Sequence, residues 1–239
     1  MRGLGTLINV LAIIAGGTAG ILSRRFLQER HQETVLKATG FSVIFLGAAG
    51  TLSKMLVPSH GGQSLETAGT MTILVSMALG GLIGEIINID ALFERFGAWL
   101  KVKTKSESDG GFIGAFVTAS LTVCIGAMAI VGSIQDGILG DHATLFAKAV
   151  LDLVIIMVMT ASMGKGCIFS AIPVGILQGS VTLLARLLQP VFTDAALSNL
   201  SLVGSVLVFC VGLNLVWGKK IRVANLLPSL LIAVIWAFL

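Results

Sequence analysis

Charge is the first thing this sequence has little of. Only 12% of its 239 residues are Asp, Glu, Lys or Arg, where a soluble domain carries about 25%. Proline is scarce at four residues, against 29 glycines. Cysteine is limited to Cys124, Cys167 and Cys210. All three fall in or beside apolar runs without CxxC spacing, which excludes a disulfide framework or a cysteine metal site. The only histidines are His31, His60 and His142. All are expected in loops, so haem or zinc ligation inside a helix bundle is excluded. There is no Walker A loop, dinucleotide fingerprint, HExxH or nucleophile elbow. There is also no arginine ladder of the voltage-sensor kind. The reading is therefore of a protein that is not an enzyme and needs no cofactor.

Apolar length is what the chain has. Hydrophobic residues make up 55% and the mean hydropathy is +0.97. A bilayer core about 30 Å thick needs roughly 20 helical residues. Eight runs qualify: 4–23, 35–57, 67–89, 111–133, 144–163, 167–190, 199–217 and 222–239. The fold class is an all-α polytopic membrane protein of about eight transmembrane helices, in one integral-membrane domain spanning 1–239. Seven spans is the alternative. The last run is short, and only Gly164, Lys165 and Gly166 separate the fifth and sixth. The first run precedes Arg24 and Arg25 rather than following a basic segment, so it reads as a retained span and not a cleaved signal.

The net charge of +4 is distributed in a way that orients a membrane protein. Twelve of the 16 basic residues fall in alternate loops: Arg24, Arg25, Arg30 and Lys37; Arg95, Lys101, Lys103 and Lys105; Lys165; Lys219, Lys220 and Arg222. The opposite loops, 58–66, 134–143 and 191–198, hold none. The positive-inside rule then places both termini outside a bacterial cytoplasmic (inner) membrane. This clustering is not a nucleic-acid patch. Within residues 90–110, Leu92, Phe93, Phe96, Trp99 and Leu100 have helical spacing. They predict an amphipathic helix on the cytoplasmic surface, followed by a polar loop.

An internal repeat is expected. Gly5, Thr6, Gly16, Gly17 and Gly20 recur at one offset as Gly69, Thr70, Gly80, Gly81 and Gly84. That makes 1–57 and 67–133 parallel repeats of a helical pair. Transporters and channels are often built this way. Packing through GxxxG faces explains the same glycines without duplication.

The residues that could carry chemistry lie mostly in the second half. From the end of the fourth span onward, Gly132, Ser133, Gln135, Asp136, Gly137, Gly140 and Asp141 predict either a re-entrant turn lining a site or an outer loop with an Asp141 helix cap. Lys148 and Asp152 stand four residues apart inside a span, on one helical face. Ionisable groups there are costly unless paired or hydrated. They read as a pair lining a polar pathway, or as a structural pair. In the sixth span Pro173, Gly175 and Gly179 predict a kinked or unwound helix beside Ser170, Gln178 and Thr182. Arg186 reads as snorkelling to the interface. Asn9, Asn214, Glu85 and Asn225 read as interhelical glue or pathway groups. The pathway set is Asn9, Gln135, Asp136, Asp141, Lys148, Asp152, Ser170, Gln178 and Asn214. No metal site is expected.

Several stretches resemble the bacterial YdfK/YqgA-type membrane proteins (domain of unknown function 554). They are GTLINVLAIIAGGTAG near the start, CIGAMAIVGSIQDGILGD in the middle, SAIPVGILQG after it, and GLNL with IRVANLLP near the end. The resemblance implies a bacterial inner-membrane protein of seven or eight spans. It implies no activity, so no catalytic residue is carried over. The residues themselves favour a transporter or channel for a small ion or polar solute. The alternative is an accessory or scaffolding membrane protein that assembles with a partner. The expected partners are membrane lipids, the solute and, on size, further copies of the chain as a homo-oligomer, with no nucleic acid.

Overall fold

The computed structural model describes residues 2–24, 29–58, 65–106, 109–125 and 127–239. Arg25, His60 and Gly126 lie outside the described residues, as does most of the 58–66 loop, and His31, expected in a loop, is helical in the first turn of the helix over 29–55. The helices are α1 (Leu4–Arg24), α2 (Glu29–Met55), α3 (Thr70–Ile87), α4 (Ile89–Lys103), α5 (Phe112–Cys124), α6 (Ala127–Leu139), α7 (Ala143–Met163), α8 (Ala171–Leu188), α9 (Asp194–Trp217) and α10 (Pro228–Trp236). A small antiparallel hairpin of β1 (Leu56–Pro58) and β2 (Leu65–Thr67) joins α2 to α3.

The class is polytopic all-α, and eight spans is slightly too many. Among the described residues six helices are long and apolar enough to cross a bilayer by length and composition, and α5 with α6 makes a seventh only as a pair bent by 61°. The eighth run fails on length. Val223–Leu226 wind into a 3-10 turn before Pro228 opens a helix of nine residues. Nine residues rise about 14 Å, roughly half of a bilayer core.

Glycine faces set the two closest helix pairs. Gly5 meets Leu145, Gly16 the Leu153 carbonyl and Gly20 the Met157 carbonyl, so α1 runs parallel to α7. Gly40 lies against Leu215 and Val216, Gly47 against Phe209 and Gly50 against Ser205, so α2 runs antiparallel to α9. Without a hydrophobic drive in lipid, such close backbone approach supplies the packing. Gly80 and Gly84 of α3 face Ser229 and Asn225 instead. Asn88 turns α3 into α4 from the left-handed region, its N–H bonding the Gly84 carbonyl. The α4 helix packs Leu100 inward and Gly97 onto Phe116, and leaves Leu92 and Trp99 half exposed. Phe112, Phe116, Ile13, Leu145 and Met159 form the fully buried core. Large apolar side chains such as Phe45, Ile86 and Leu183 face outward, which suits a lipid surround.

Candidate functional site

The fourth span breaks at a place the sequence did not show. Expected as one run over 111–133, it ends as α5 at Cys124. Ile125 is extended (φ −80°, ψ 118°). A second helix, α6, then carries Gln135 and Asp136 as far as Leu139. Gln135 and Asp136 are therefore helical, in neither a turn nor a loop, and only Gly140–His142 lie between α6 and α7. Gly132 and Gly137 serve packing, against Leu145 and against Thr182 with Ala185.

Ending α5 early frees carbonyls that a continuous helix would use. Lys148 of α7 fills one of these places. Its Nζ donates to the Val123 carbonyl at 2.8 Å, putting a cation at the negative end of α5. The same ammonium pairs with Asp152 at 2.8 and 2.7 Å. Asn9 of α1 closes the group, its Nδ2 donating to Asp152 Oδ2 at 3.0 Å. Lys148 is 8% exposed, Asp152 3% and Asn9 0%. Lys148 and Asp152 lie about 8 and 14 Å along α7 at 1.5 Å per residue. The expected pair is present, with two partners from distant sequence. The Asn9 Oδ1 has no hydrogen-bond partner among the described residues.

Asp136 is the mirror case, an anion at a helix N-terminus. Its carboxylate accepts from the Gly3 amide at 2.9 Å and the Gly5 amide at 3.1 Å, where α1 begins. This is a favoured place for negative charge. His142 Nδ1 lies 3.0 Å from Asp136 Oδ1, outside hydrogen-bond geometry. Gln135 accepts from Thr144 at 2.7 Å. Asp141 accepts from the Ala143 amide at 3.0 Å across the short connection before α7, whose N-cap position is His142 and not Asp141.

The disturbance in the sixth span precedes Pro173 rather than following it. Lys165–Ser170 form a 3-10 turn, and α8 then runs unbroken through Gly175 and Gly179. Pro173 falls in the first helical turn, where a missing N–H costs little. Ser170 bonds the Cys167 carbonyl at 2.7 Å. Gln178 is 1% exposed, and neither its oxygen nor its nitrogen has a partner among the described residues. Asn214 is placed apart from these groups. It ties the end of α9 to the following turn, donating to the Ile221 carbonyl and accepting from the Lys220 and Ile221 amides.

Cavities approach the seam from both ends. One of about 430 Å³ opens among Glu33, Asp90, Glu94 and Lys219 and reaches Leu121, within a turn of the α5 break. Another, of about 410 Å³, lies at the opposite end and reaches Thr6, less than a turn from Asn9. Among the described residues no group of three or more His, Cys, Asp or Glu side chains could hold a metal ion. The Val123 carbonyl, the Gly3 and Gly5 amides and Thr6 are the participants that the sequence did not mark as a site.

Residues 4–238 match the family described as "Protein of unknown function (DUF554)". The chain belongs to this family. It is 28% identical over 228 residues to the uncharacterized membrane protein YdfK of Bacillus subtilis (strain 168), covering 95% of this chain and 93% of that one. It is 27% identical over 234 residues to the uncharacterized protein YqgA of Escherichia coli (strain K12), covering 96% and 94%. No solved structure matches. This DUF554 member is thus a membrane protein with several apolar helices, and its seam is contributed by α1 and α5 through α8.

Proposed function

We propose that the protein is a transporter or channel for a small ion or polar solute in the bacterial inner membrane. Placing both termini outside requires an even number of spans; with seven, the N-terminus alone keeps that place. One observation carries the functional reading: the Lys148–Asp152 pair, over nine-tenths buried within a span, is bonded to the carbonyl freed by the α5 break. Ionisable groups in a bilayer are costly and characteristically mark ion or solute paths. Broken helices that present carbonyls and helix ends at mid-membrane are a common transporter binding device. Neither cavity is lined by the pair itself, but their lying at opposite ends of the molecule supports access from both sides. The role is non-enzymatic.

The test is flux in vesicles reconstituted with the full chain. A panel of ions, amino acids, organic acids and polyamines should include at least one that crosses faster than in empty vesicles. Asp152→Asn should lower that flux at least tenfold while the protein still elutes as one species. Absence of flux for every solute, or an Asp152→Asn protein as active as the parent, overturns the proposal.

The accessory reading draws on a different feature. The outward face of α4, with Leu92, Trp99 and Val102 at least half exposed, suits a membrane surface or a partner. One constant partner recovered from native membranes, together with no flux, would make that the working reading.

A further inference from the structure

The cavity at the start of α1 has the chemistry of an anion site. Arg2 and Arg186 both line it. Neither guanidinium has an acidic partner among the described residues. Asp136 is fully buried and its two oxygens already accept from Gly3 and Gly5. Interfacial snorkelling explains one exposed arginine on a helix end. It does not explain two in one cavity at the end of the molecule that holds few of the basic residues.

The second observation is independent of charge. Thr6 and Thr182 also line this cavity, each is 9% exposed, and both hydroxyls lack a partner among the described residues. A helical threonine normally bonds a carbonyl one turn back, as Thr39, Thr51 and Thr122 do here. These two do not. One turn back along α8 lies Gln178, whose amide is also unpartnered. Buried polar groups left without partners in a native protein require an explanation.

The geometry points to an oxyanion-binding site at this cavity, taking a carboxylate or phosphate group. Guanidinium forks match the planar oxygens of such groups, and the threonine hydroxyls, buried in the cavity wall, become further donors when their side chains turn toward the ligand. The volume of about 410 Å³ suits a small organic anion or a headgroup. The inference deepens the transport reading, on which it rests only for passage of the anion and not for its binding. A free solute and a phospholipid headgroup offer the same chemistry, and the experiment separates them.

The purified full-length protein is unfolded thermally in detergent with potassium phosphate or potassium succinate, against potassium chloride at equal ionic strength. A parallel series adds phosphatidylglycerol or phosphatidylcholine. Selective binding raises the midpoint with ligand concentration. A rise with phosphate or succinate is expected in the parent, absent in Arg186→Gln and in Arg2→Gln, and kept in Arg222→Gln at the other end. Thr182→Val separates ligation from packing by sign. Without ligand its midpoint should rise, because a buried unpartnered hydroxyl is gone, while its anion affinity should fall about tenfold. A rise with phosphatidylglycerol alone, lost in Arg186→Gln, supports the site and names lipid phosphate as the source. No rise with any anion, or a rise unchanged in both arginine variants, overturns it. Saturable binding without flux in vesicles leaves this site standing and removes transport.

Discussion

The helices around α1 and α7 and those around α2, α3, α9 and α10 are both packed through glycine, yet they place charge differently. In the second group the partnered charges stand at one end. Lys219 bridges Asp90 and Glu94 at 2.5 and 2.6 Å, and Arg222 pairs with Glu85, which also accepts from Asn225. Lys219, Arg222, Glu85 and Glu94 are about half exposed, and of these partnered charges Asp90 alone is buried, beneath Lys219 at the same end. In the first group Asp136, Lys148 and Asp152 are buried and are held by helix ends and by each other. Water screens the exposed charges and leaves them nearly neutral in energy. The buried ones are retained against a desolvation cost that well-packed apolar residues would avoid. A fold alone does not require that arrangement, and this is the physical reason to look for function there.

The sharpest break of the comparison is removal of one buried charge. Lys148→Met should destabilise the protein by about 3–5 kcal/mol, since it strands Asp152. The double variant Lys148→Met with Asp152→Leu should recover most of that stability and none of the activity. Thermal midpoints with vesicle flux check both. A double variant as unstable as the single one would make the pair structural.

Next in size is Asp136→Asn, which keeps shape but weakens two charge-assisted bonds to the α1 amides. About 1.5–3 kcal/mol is expected, with faster amide exchange confined to the first turn of α1. Exchange that speeds up throughout the helix would show that Asp136 holds more than the helix end.

Glycine substitutions follow and should strike both groups alike. A Cβ at Gly16 would overlap the Leu153 carbonyl, and one at Gly84 the Asn225 carbonyl. Gly16→Ala and Gly84→Ala should each cost about 1–3 kcal/mol, the usual scale of overpacking. Size-exclusion profiles and midpoints measure this, and tolerance in one group only would show that glycine contact is not a shared device.

The least effect belongs to the exposed end. Glu85→Gln should change stability by under about 1 kcal/mol, and salt should screen what little it contributes. The Lys219 contacts add a pH signature. Partial burial lowers its pKa, but its hydrogen bonds to Asp90 and Glu94 outweigh this and raise it. That contribution is full at neutral pH and fades only as strongly alkaline pH passes the raised value.

Local geometry decided what was legible beforehand. Lys148 and Asp152 could be paired from sequence because four residues on a helix always share a face. Apolar length gave most spans for the same reason. The partners of Asp152 and Asp136 could not be read, because Asn9, Gly3 and Gly5 stand 143, 133 and 131 residues away. Gly132 and Gly137 read as turn residues but are close-packing ones, since a glycine's neighbours across a helix interface leave no mark in its own segment. Pro173 read as a kink within a helix, and its place in the first turn of α8 removed that effect.

By itself, the sequence determined that this chain is an all-α membrane protein, because a backbone in lipid must bond to itself and long apolar runs can do so only as helices. It also determined that a charge pair lies within one of those helices. Tertiary structure alone decided where the fourth span breaks, that Lys148 caps the break, and that the end of α1 holds Asp136. The reason is that free backbone groups and buried charges are satisfied by whatever lies nearest in space, and that neighbour is chosen by helix packing rather than by order along the chain.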